Sequence, residues 1–199
     1  MEESRMRLNL ARMIPALVVG ALLTTGAASA FPQGTAAVTP PATQPSAYLA
    51  DRASTLLAEI QKEAVGLRRN AATLGTFARN TQYSWQSHAR YLDRVKVHIN
   101  EVGERIAELQ QIRNSVLPWQ QQATTELTTH AVQVAASTQA AIVQLNENRN
   151  SLITSEYQAH LMTIDDSSAD MQEWVNKFLD YENAQQKFLQ LQDETGTGG

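Results

Sequence analysis

Four histidines are the residues of this chain best suited to chemistry. His88 and His130 fall on apolar stripes with helical spacing, and His160 lies beside Leu161 and Ile164. Three helices could therefore each aim an imidazole at one interior ligand. Glu126 precedes His130, and Glu156 precedes His160, by four residues, which places each pair on one helix face. Di-iron bundles instead use Glu-x-x-His with further inward glutamates, and that spacing does not occur here. A histidine on an apolar helical face more commonly bonds to a neighbour. No metal, haem or other cofactor is therefore expected, and His88, His130 and His160 remain as the alternative ligand set. His98, between Val95 and Val102, sits at the edge of its stripe.

Other candidate groups read as structure. Trp85 and Trp119 stand at the starts of two helices and Trp174 lies inside another, positions suited to sealing a bundle end or covering core. Asp165, Asp166 and Asp170 form an acidic patch. They have no second acid in an apolar setting to split their acidities for acid–base work. Gly-rich phosphate loops, Gly-x-Ser-x-Gly elbows and His-Glu-x-x-His motifs are missing, so a catalytic role is not expected. The absence of cysteine removes disulfides, thiolate metal sites and cysteine nucleophiles. A net charge of −4, with Arg68-Arg69 as the sole basic doublet of the helical region, argues against a nucleic-acid partner.

The elements that would position these groups follow from composition. Arg5, Arg7 and Arg12 precede an apolar run from Met13 to Leu23 and then Ala28-Ser29-Ala30. That is the order of a secretory signal peptide, with cleavage expected after Ala30. The run is about half the ~20 residues needed to span a bilayer, so no stable membrane insertion is expected after cleavage. Residues 31–46 hold four prolines and no charge, as an extended leader would. From Ala47 to Glu194 there is one proline, Pro118, and the Ala-, Gln-, Leu- and Glu-rich composition favours helix. Apolar residues three and four apart predict helices over about 48–79, 84–116, 118–147 and 155–191, with 195–199 as a disordered tail. Ser84 is expected as an N-cap, Pro118 in a first helical turn, and Thr154 or Ser155 at the last helix start. Asp165-Asp166-Ser167-Ser168 predicts a kink or a fresh cap before Met171.

Long amphipathic helices with short connections predict an all-α, elongated antiparallel four-helix bundle; a nearly straight Pro118 junction would instead give a long bent coiled-coil hairpin. Residues 47–118 carry a net +3 and residues 150–199 a net −7, so the first and last helices are expected to pair. The functional expectation is an exported, periplasmic or secreted soluble module of the cell envelope. It would be non-catalytic and structural, binding a protein partner or itself through helix faces. A ligand-, metal- or haem-binding bundle is the alternative.

Overall fold

Apolar residues at three- and four-residue spacing fold into helices that bury one stripe each. A computed structural model describes residues 46–80, 82–148 and 154–196. It contains α1 (Ala47–Ala78), α2 (Trp85–Ile112), a single 3-10 turn (Arg113–Ser115), α3 (Pro118–Glu147) and α4 (Ser155–Gly196). The expected signal peptide, and the leader up to residue 45, lie outside the described residues.

The boundaries have local causes. Ser84 Oγ accepts from the Ser87 N–H at 3.4 Å at the start of α2, and Thr154 Oγ1 accepts from the Tyr157 N–H at 3.1 Å at the start of α4. Pro118 occupies the first turn of α3, where a missing N–H costs nothing. The fresh cap expected at Asp165–Ser168 does not form; α4 runs unbroken for 42 residues, about 63 Å. The would-be capping groups are engaged elsewhere. Ser168 Oγ donates back to the Ile164 carbonyl at 2.5 Å and Ser167 Oγ donates to Gln133 Oε1 at 3.1 Å. Asp165 is held by Arg68. The helix also outlasts its expected end near residue 191, taking in Thr195 and Gly196 of the expected tail.

The four helices pack against one another around a shared core. Leu56, Leu57, Ile60, Leu67 and Leu74 of α1 meet Leu92, Val95, Val102, Ile106 and Leu109 of α2, Leu127, Val134 and Leu145 of α3, and Leu161, Ile164, Met171 and Val175 of α4, all essentially solvent-free. Each such side chain contributes about 1.5–3 kcal/mol by leaving water. Both α1 and α3 lie against α4, so the bent-hairpin alternative is ruled out.

Polar pairs set the directions. Between α1 and α2, Arg52 meets Glu108 at 2.5 Å, Glu59 meets Arg105 at 2.6 Å and Glu63 meets His98 at 2.8 Å. Numbers rise on one helix as they fall on the other, so the two run in opposite directions. Between α1 and α4, Ser54 donates to Glu182, Gln61 Nε2 donates to Asn176 Oδ1 at 2.9 Å, and Arg68 and Arg79 both meet Asp165. The +3 and −7 segments are therefore neighbours: Asp165 is ion-paired with Arg68 and Arg79, while Gln61–Asn176 is a neutral contact and Ser54–Glu182 a hydroxyl-mediated one. More of the α1 charge is engaged by α2.

Candidate functional site

The histidines separate rather than converge. His88 is 2% exposed, and its Nδ1 shares a hydrogen bond of 2.9 Å with the buried Tyr157 hydroxyl. Burial pushes the His88 pKa down to about 4 and pushes the Tyr157 phenol above its usual range, so both are neutral near pH 7. Phe77 packs on His88 with ring centroids 4.9 Å apart and on Tyr83 at 4.1 Å. Gln158 Nε2 donates to the Ala78 carbonyl, the last of α1, at 2.8 Å. Together these groups close one pole of the bundle, where α1 ends and α2 and α4 begin. His98 pairs with Glu63 on the α1–α2 seam, its ring lying over Gly66. His130, twelve residues into α3, is half-buried with Nδ1 lacking a hydrogen-bond partner, and His160 is half-buried on α4. Among the described residues no three His, Asp or Glu side chains are grouped to hold a metal ion. Asp165 is committed to Arg68 and Arg79, and Asp166 and Asp170 are exposed.

The opposite pole is built differently. Gln120, 1% exposed in the first turn of α3, ties the start of α3 to α1. Its Oε1 accepts from the Leu117 N–H at 3.1 Å, and its Nε2 donates to the Ala50 carbonyl at 2.8 Å and to Ser54 Oγ at 3.1 Å. The Ser46 N–H donates to the Ser115 carbonyl at 3.1 Å, fixing the start of α1 beside the α2–α3 turn. Gln120 opens a run of three glutamines, Gln120-Gln121-Gln122. Its spacing with Ala123, Leu127, Ala131 and Val134 is the signal that puts it on the buried stripe.

At this pole α4 outruns its neighbours. Trp119, in the first turn of α3, meets Tyr181 edge-on with ring centroids 5.8 Å apart, so residues of α4 beyond Tyr181 pass the start of α3. Every residue from Asn183 to Thr195 is exposed. Within that overhang Phe188, Leu189 and Leu191 are 59%, 54% and 59% exposed. Leu189 keeps the helical spacing of the buried stripe Met171, Val175 and Phe178, but it is left in solvent because α3 does not extend beside it. An open groove of about 560 Å³ lies at the base of the overhang, lined by Leu117, Pro118 and Trp119 on one side and Phe178, Tyr181 and Gln185 on the other. The indole Nε1 of Trp119 is buried there without a hydrogen-bond partner. Trp174 stacks on Phe178 one turn below, and the Lys177 ammonium lies 4.9 Å from the Trp174 ring centroid.

At this pole the groove and the end of α4 together expose the apolar faces of Tyr181, Phe188, Leu189 and Leu191. No helix among the described residues is long and apolar enough to cross a membrane. No family model, curated protein or solved structure matches the chain.

Proposed function

We propose that this chain is an exported, non-catalytic protein-interaction module of the cell envelope, which presents the free end of α4 and the groove at its base to a protein partner. The observation that carries the reading is the run of exposed apolar side chains Tyr181, Phe188, Leu189 and Leu191 on a helix whose earlier turns are buried. A helix with an unpartnered apolar face gains by laying that face against another helix or into a groove. The order of charge, apolar run and small residues before Phe31 supports export.

The test compares the full chain with a form ending at Glu182, each expressed from its own N-terminus. Recovered full-length protein should begin at Phe31 by mass and form a cross-linked adduct in envelope extract. The truncated form should keep its melting temperature and lose the adduct. An uncleaved chain, or an adduct indifferent to truncation, would refute the corresponding half of the proposal.

A further inference from the structure

We infer that the sealed pole is an acid-released latch: protonation of His88 parts the last turn of α1 from the first turns of α2 and α4, while the rest of the bundle stays folded. Three helix ends meet there, with Phe77 in the last turn of α1, His88 in the first turn of α2 and Tyr157 in the first turn of α4. His88 is the ring that joins the other two, its centroid 4.9 Å from that of Phe77 and 5.5 Å from that of Tyr157. Tyr91 meets Phe77 edge-on at 5.4 Å, and Gln158 donates to the Ala78 carbonyl. Terminal turns lack part of their helical bonding, so they open at less cost than the middle of a helix. Losing the His88 contacts therefore frees helix ends and not whole helices.

The surroundings leave a charged imidazole uncompensated. His88 Nδ1 and the Tyr157 hydroxyl share one hydrogen bond. Both nitrogens of a protonated ring donate, so the phenolic proton then has no claim on Nδ1. Around the ring α1 brings Phe77, the connection brings Tyr83 against Phe77, α2 brings Tyr91 and α4 brings Tyr157. On the buried side α3 brings the apolar Ala141, Ile142 and Leu145. The charged side chains of this pole, Arg79, Arg90, Asp93, Arg94, Glu147 and Glu156, are all exposed. Arg79 reaches Asp165, and Arg94 lies over the Tyr91 ring. His160, one turn further along α4, is half-buried. A buried charge without a partner is costly, and parting the helix ends returns it to water. At the opposite pole Gln120 bonds only to Leu117, Ala50 and Ser54, groups that do not change charge with pH.

Native-state hydrogen exchange of the purified full chain at pH 7 and pH 5, with and without urea below the unfolding transition, tests this. The Arg79 and Asn80 amides bond to the Thr76 and Phe77 carbonyls. Their protection should fall about twentyfold from pH 7 to pH 5, as a His88 pKa of about 4 when closed and 6.5 when open requires. At pH 5 their exchange should be indifferent to urea, as a small local opening is, whereas amides in the middle of α1 should exchange faster as urea rises. In His88→Leu the pole should keep its protection at both pH values. Asp165→Asn, which removes the carboxylate that Arg79 reaches, should respond to acid as the wild type does. In nuclear magnetic resonance spectra of the wild-type chain, the His88 Cε1–H signal and the ring signals of Phe77 and Tyr157 should shift along one pH curve. Sealed-pole exchange that rises with urea as the core does would mean that acid unfolds the whole chain, and would overturn the inference. So would an acid response that survives in His88→Leu or disappears in Asp165→Asn, or an imidazole that titrates while the Phe77 and Tyr157 rings stay in place.

Discussion

His88 shows how much one residue's role depends on what faces it. An imidazole on an apolar stripe can ligate a metal or complete a core; here the Tyr157 hydroxyl at 2.9 Å and the Phe77 ring decide for the core. Its pKa falls from 6.5 to about 4 on folding, so between those values the unfolded chain binds the proton more tightly. The stability this side chain contributes is full above pH 6.5 and is lost as the pH falls towards 4. Urea unfolding should show the wild-type chain losing about 2 kcal/mol from this group between pH 7 and pH 5. His88→Leu should show a correspondingly flatter dependence. An equal pH dependence in both proteins would mean that His88 is protonated without cost. Tyr157→Phe leaves the buried ring nitrogen unpaired and should cost about 1–3 kcal/mol at pH 7.

Helix glycines carry opposite meanings on different faces. A Cβ at Gly75 would collide with the Asp165 carboxylate, so this glycine lets α4 approach α1 closely enough for Arg68 and Arg79 to reach Asp165. A Cβ at Gly103 meets nothing within 4 Å. Gly103→Ala should therefore stabilise the chain by about 0.5–1 kcal/mol through helix propensity. Gly75→Ala should destabilise it despite the same propensity gain. Thermal melts that moved both variants in one direction would contradict this account. The starts of α2, α3 and α4 were legible in Ser84, Pro118 and Thr154-Ser155, because caps and prolines act locally. The Asp165–Ser168 break was misjudged because cap-forming side chains also bond back along a helix or across to a neighbour, and only packing decides which. Gln120 was hidden for a related reason: three successive glutamines cover every face of a helical turn, and which one turns inward depends on α1.

For the whole molecule, the stripes made a closed set of helices legible, but not where one helix would outrun the rest. That depends on the relative stagger of helices far apart in sequence, fixed by contacts such as Ser54 to Glu182 and Trp119 to Tyr181. The same stagger puts the start of α1 and the exit of α4 at one pole, with the sealed aromatic cluster at the other. Tension applied between the two ends would load the α1–α4 seam crosswise, opening it like a zip from Ser54 through Gln61 to Arg68. Optical-tweezer traces with handles at Ser46 and Glu182 should show stepwise opening at low, nearly constant force, whereas a single abrupt high-force rupture would speak against it. Pulled between these two points, such a bundle behaves as a yielding link and not as a strut.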